Sequence, residues 1–178
     1  MSSGPTQANG QRGAPNHGGK TDSGGKFLTF FLGGEEYGIE ILKVHEIIGM
    51  MGITRVPRTP TFVRGVINLR GKVISVVDLR LKFAMEAKEQ TEETCIIVVQ
   101  VQGVELGIQV DKVSEVLDIA GKDIDAAPSF GTDVNTDYIL GIGKSQGRIK
   151  LLLDIDKVLS TQDVVDLRNS SGGGNEAN

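Results

Sequence analysis

The chain has 178 residues, enough for one compact unit or two very small ones, and 39% of them are hydrophobic, enough for a core. A net charge of −4 argues against the concentrated basic face of a nucleic-acid binder. The single cysteine, Cys95, excludes an intramolecular disulfide and a cysteine-rich metal site.

Only 4% of the residues are aromatic and none is Trp, so the core must come from Val, Ile and Leu, which favour strands. The apolar runs, such as Cys95 to Val99, are far shorter than the ~20 residues that span a bilayer. Met1 to Lys26 is polar and lacks the apolar stretch of a signal peptide. The expectation is a cytoplasmic protein with no direct membrane insertion.

Residues 1–25 are rich in Gly, Ser, Asn and Gln and read as a disordered N-terminal tail. Phe27 to Leu32 is an apolar run of strand length; Gly33-Gly34 ends it, and Glu36-Tyr37-Gly38-Ile39 starts again, as in a hairpin. Ile41 to Ile48 fits neither the helical nor the strand period, which suggests a helical turn leading into a strand. Pro57 and Pro60 break the chain after Ile53 to Val56. Val66 to Leu69, the turn at Gly71-Lys72 and Val73 to Val77 form a second hairpin, and Asp78 to Phe83 reads as a short helix. Glu86 to Thr94 is a polar connector. Residues 166–178 read as a flexible C-terminal tail.

After the connector the pattern starts again. At one constant spacing, Gly38, Ile39, Val44, Glu46 and Ile47 meet Gly107, Ile108, Val113, Glu115 and Val116. Farther on the spacing widens and is again constant: Gly71-Lys72-Val73 meets Gly147-Arg148-Ile149, and Val76-Val77-Asp78-Leu79 meets Leu152-Leu153-Asp154-Ile155. The extra residues of the second copy fit a longer loop between about Asp118 and Tyr138. Each copy holds roughly five short strands, and a sheet that small avoids exposed edges best by closing into a barrel. Two thin-cored barrels are more stable packed together than apart, with a groove between them.

The segments Gly34 to Val44, Thr54 to Pro57, Phe62 to Gly71 and Val76 to Arg80, in this order and with the duplication, closely resemble the CheW family of chemotaxis coupling proteins. The resemblance covers about residues 26–165 and implies a mostly β domain of two intertwined, pseudo-symmetric, five-stranded SH3-like barrels with short connecting helices. It implies a non-enzymatic adaptor that needs no cofactor. Its partners would be the regulatory domain of the histidine kinase CheA and the cytoplasmic tips of chemoreceptors, in arrays at the membrane where the related modules alternate in rings. The alternative is a CheW-like module of a related scaffold with a non-motility output.

The resemblance also carries residues. Arg70, at a turn, reads by itself as a solvated arginine; the family associates the matching arginine with the receptor contact, where a forked donor suits carboxylates or carbonyls of a partner helix. Asn68 suits that surface or simply holds the turn. Val44 and Val113 read by themselves as core; the family places the matching stretch of the first copy beside the receptor groove, and Val116 and Gly65 join that set. Glu46, Ile47, Arg55 and Val56 lie where the family places the kinase contact.

No catalytic or metal-binding pattern appears. His45 is the one histidine outside the tail, and an enzyme built on it would need a nucleophile and an acid around it. Cys95 opens an apolar strand and reads as buried and inert. Asp78 and Asp154 read as helix N-caps. Asp123, Asp125 and Asp133 match no known metal loop and read as a solvated acidic stretch. Few aromatics are left for stacking bases, which argues again against nucleic acid.

Overall fold

The computed structural model describes residues 24–129 and 136–172, with Gly4 besides. Most of the expected N-terminal tail, and Asp133, lie outside the described residues.

Among the described residues eleven strands follow one another as β1 (Gly25–Leu32), β2 (Glu35–Glu40), β3 (Val44–Gly49), β4 (Val63–Leu69), β5 (Lys72–Asp78), β6 (Cys95–Val101), β7 (Val104–Val110), β8 (Lys112–Ile119), β9 (Ile124–Asp125), β10 (Ile139–Ser145) and β11 (Arg148–Leu153). Among the described residues there are also three α-helices: α1 (Leu79–Lys82), α2 (Ile155–Val158) and α3 (Thr161–Gly172). The ambiguous stretch resolves as a 3-10 turn over Ile41–Lys43 running straight into β3. Asp78 caps α1 by accepting from Arg80 N at 2.9 Å, and Asp154 caps α2 by accepting from Asp156 N at 3.1 Å. The fold is mostly β, as the sequence indicates.

The strands form two sheets, one in the order β8-β1-β2-β11-β10-β9 and one in the order β3-β6-β7-β5-β4. A barrel is therefore not simply a copy of the repeat. The leading hairpin of each copy, β1–β2 or β6–β7, is inserted into the sheet of the other. The exchanged hairpins attach through parallel pairs: Tyr37, Gly38 and Ile39 lie opposite Leu151, Leu152 and Leu153, and Gly107, Ile108 and Gln109 lie opposite Val76, Val77 and Asp78.

The core follows from this exchange. Side chains of both sheets, including Leu28, Phe30 and Ile39 from one and Val77, Ile97 and Ile108 from the other, make one large buried cluster between the barrels. Each barrel adds a small core of its own. Ile67, Ile74, Val76, Ile96 and Val98 fill one, and Phe27, Ile119 and Leu152 fill the other. Neither small core offers much apolar area by itself, so the duplication is what makes the domain stable. Four of the eight aromatic residues, Phe30, Tyr37, Phe83 and Tyr138, form a stacked ladder with centroids 5.7–6.0 Å apart, which ties the end of α1 to the first sheet.

The two small cores differ. At the wider of the two repeat spacings, Ile67 and Ile74 of one barrel correspond to Gly143 and Lys150 of the other. Lys150 is 2% exposed and pairs at 3.4 Å with Glu36, itself 8% exposed. At the position where one barrel has the buried Ile74, the other therefore holds an ion pair.

The C-terminal end departs from expectation. The chain does not become free at residue 166: α3 continues to Gly172, Val164 and Leu167 are buried in the large cluster, and Ser75 Oγ donates to Leu167 O at 3.1 Å. Their i, i+3 relation puts both side chains on one helix face, against β5.

Candidate functional site

The tip of the β4–β5 hairpin is a two-residue turn, Arg70-Gly71, with φ of 52° and 84°. Positive φ at both positions matches the twist of the flanking strands. Asn68 Oδ1 accepts from Gly71 N at 2.8 Å, so Asn68 is occupied with holding the turn. Arg70 stands in a conformation that a residue bearing a Cβ adopts at some cost, and its side chain is 69% exposed. It reaches across to β3, where both of its terminal nitrogens bond the Glu46 carboxylate.

A second charged cluster adjoins the first. Glu105 on β7 accepts from His45 Nδ1 at 2.8 Å and pairs with Lys72 at 3.4 Å. The bond from His45, with Lys72 adding its charge, holds the Glu105 carboxyl below the usual range. Glu105 corresponds in the repeat to Glu36, at the same spacing that joins Gly38 to Gly107, and its role could have been sought by that match.

The structure thus brings together residues the sequence reading assigned to different partners. Arg70 stood with the receptor surface and Glu46 with the kinase surface, and they touch. Gly65 is buried and presents no side chain. It sits at a bulge in β4 with φ of 140°, and a Cβ there would lie 2.1 Å from Thr54 O. Its smallness lets Thr54 pair with Val66, Thr54 N donating to Val66 O at 2.9 Å and Val66 N to Thr54 O at 2.8 Å. Gly141, its repeat partner, marks a bulge against Asp125 in the same way. Gly65 therefore positions the Arg55-Val56 segment, where Arg55 is exposed and Val56 half-buried.

Val44 opens β3, and Val113 lies on β8. Both are half-buried and pack against the edge of the large cluster between the barrels. Ile47 and Val116 correspond in the repeat and are outward-facing apolar residues, 45% and 52% exposed. Cys95 is half-buried, and burial raises its thiol pKa despite a backbone hydrogen bond with Val113. Asp125 pairs with Lys144 at 3.0 Å, and the described residues contain no group of His, Cys, Asp or Glu suited to a metal ion.

The clamps on the exchanged hairpins went unnoticed in the sequence. Asp111 accepts from Arg80 Nε and a terminal nitrogen, each at 2.7 Å, and from Gly33 N at 2.8 Å. Asp156, which matches Arg80 in the repeat, accepts from Gln102 N at 2.9 Å and pairs with Lys43 at 2.6 Å. Gln102 matches Gly33. The same hairpin turn is pinned in both halves, by Asp111 with Arg80 in one and by Asp156 with Lys43 in the other.

Fold and surface together define a pseudo-symmetric double-barrel module whose charged residues gather at hairpin tips and sheet edges. The chain belongs to the CheW-like family: the family model described as a CheW-like domain matches residues 26–163. It is 44% identical over 141 residues to the chemotaxis protein CheW of Klebsiella aerogenes, covering 79% of this chain and 85% of that one. It is 40% identical over 134 residues to the chemotaxis protein CheW of Helicobacter pylori, covering 75% and 81%. Its fold is similar to the crystal structure of the scaffolding protein TtCheW from Thermoanaerobacter tengcongensis, with a TM-score of 0.71 and 33% identity over 79% of this chain and 95% of that one.

Proposed function

We propose that this chain is a non-enzymatic adaptor that couples chemoreceptors to the histidine kinase CheA in chemotaxis signalling arrays. The relatives' names as chemotaxis and scaffolding proteins support the reading. The observation that carries it is the Arg70–Glu46 pair: a forked cation held in a fixed pose on an exposed, strained turn, where a solvated arginine would need no such restraint. Val44, Val113 and Val116, with Arg70, Asn68 and Gly65, belong to the receptor side, and Glu46, Ile47, Arg55 and Val56 to the kinase side. Arg70 and Glu46 make the seam where the two surfaces meet, so a shift on one side is felt on the other.

His45 is engaged by Glu105 on the surface, a hydrogen-bonded tether between β3 and β7, and the adaptor catalyses nothing and takes no cofactor. No helix among the described residues is long and apolar enough to cross a membrane. The protein works in the cytoplasm and reaches the membrane arrays through its partners.

The test is a chemical-shift titration of the isotope-labelled chain with the CheA regulatory domain and, separately, with a receptor-tip fragment. Shifts should gather at Val44, Arg70 and Val116 for the fragment and at Ile47, Arg55 and Val56 for the kinase domain. An unchanged spectrum with both partners overturns the reading.

A further inference from the structure

From Ile47 to Val77 the chain contains no Asp or Glu, yet carries Arg55, Arg58, Arg64, Arg70 and Lys72. A run with five more positive than negative charges is anomalous in a protein of net charge −4. The fold neutralises part of it: Glu46 takes Arg70 and Glu105 takes Lys72. Arg55 and Arg58 are exposed and make no hydrogen bond or ion pair among the described residues. By contrast, Lys43, Arg80, Lys82 and Lys88 of the same copy are all paired with carboxylates.

The loop that carries Arg58 is built to hold it outward. Arg58 follows Pro57 with φ of 61°, the third position of a tight turn where glycine is favoured. Thr59 Oγ1 donates to Val56 O at 2.9 Å across the turn, and Val63 N donates to Pro60 O at 3.0 Å just beyond it. The prolines and these bonds leave the loop little freedom to lose on binding.

We infer that the Arg55–Arg58 loop is an electrostatic docking element for an acidic face of a protein partner, and that Arg58 helps set which partner is accepted. The inference rests on the adaptor reading, under which that partner is the kinase regulatory domain, because the loop extends the surface formed by Arg55 and Val56. Two guanidiniums on one rigid turn match carboxylates as forked donors. They are too few for a nucleic-acid stripe or an anionic membrane, and the rest of the chain is acidic. Charges at the rim of an interface act chiefly on association rate and on salt dependence.

The experiment measures binding of the CheA regulatory domain to the full chain, and to its Arg58→Gly and Arg58→Glu variants, over a range of salt concentrations, with a thermal melt of each. Arg58→Gly should melt no lower than the parent, since glycine suits the turn, yet bind about three- to fivefold more weakly with a shallower salt dependence. Arg58→Glu should weaken binding further. If the parent binds and both variants match it in affinity and salt dependence, the inference fails while the adaptor reading stands. If the parent itself does not bind, the adaptor reading fails and takes this inference with it.

Discussion

Both terminal nitrogens of Arg70 grip the carboxylate of Glu46, so the tip of the β4–β5 hairpin is tied to strand β3. The two residues are 24 positions apart in the chain, and β3 and β4 lie at opposite ends of the strand order, so the pair spans the open side of the second sheet. Arg70 is exposed enough that the bond adds little to global stability. Arg70→Glu should leave the melting temperature nearly unchanged and weaken capture of a receptor-tip fragment in a pull-down. The exchanged pair Glu46→Arg with Arg70→Glu rebuilds the tether with reversed polarity. It should not recover receptor capture; full recovery would show that the tether, rather than a direct Arg70 contact, is what the receptor reads.

Gly65→Ala should be far more damaging than its size suggests. The new Cβ would collide with the Thr54 carbonyl and sit on a backbone with φ of 140°, where a side chain is strained. The expected loss is on the order of 3 kcal/mol in a urea denaturation. At Gly141 an added Cβ would meet the Ile124 side chain at 2.6 Å and the Asp125 carbonyl at 2.8 Å, without the positive φ, so Gly141→Ala should cost less. Equal losses at both sites would show that the carbonyl contact is not the cause.

The ion pair of Lys150 with Glu36 is nearly inaccessible to solvent. Removing one partner strands the other charge in a barrel interior, so Lys150→Met alone should destabilise by roughly 3 kcal/mol or more. Lys150→Met with Glu36→Leu restores an apolar interior like that of the other barrel, where Ile74 occupies the position. The double variant should regain most of the loss. A double-mutant cycle by chemical denaturation checks this, and additive losses would refute it.

Burial pushes the Asp111 carboxyl up, but the Arg80 guanidinium and Gly33 N–H outweigh it and hold the carboxyl below its usual value. A carboxyl depressed in the folded state contributes stability above its unfolded value, about 4, and loses it as pH falls through the lower folded value. Asp111→Asn should therefore be clearly less stable than the parent at pH 7, with the gap closing below about pH 4. Urea midpoints measured down the pH range give the answer; a gap as wide at pH 3 as at pH 7 would count against the clamp.

The sequence by itself determined what is local or repeated. Strand-length apolar runs, X-Gly turns and capping aspartates act within a few residues, so hairpins such as β4–β5 and the short helix after Asp78 were legible directly. The duplication was legible because equal folds need equal glycines and apolar positions at equal spacing, and the resemblance gave the family. The C-terminal helix was not legible because Val164, Val165 and Leu167 are the few apolar residues of a polar stretch, a pattern that becomes a helix only through the β5 face that Val164 and Leu167 cover.

Tertiary structure decided everything that depends on which strands pair. The exchange of leading hairpins leaves no mark in a strand's own sequence, since a strand buried on both faces reads alike beside any neighbour. That exchange put Lys150 beside Glu36 and Asp111 beside Arg80, and the closure of the second barrel put Arg70 beside Glu46. It also gave Gly65 its reason, the carbonyl of Thr54 lying where a side chain would be. Sequence set the elements through local geometry; pairing over long separations set which charges meet, and the candidate surface is made of those meetings.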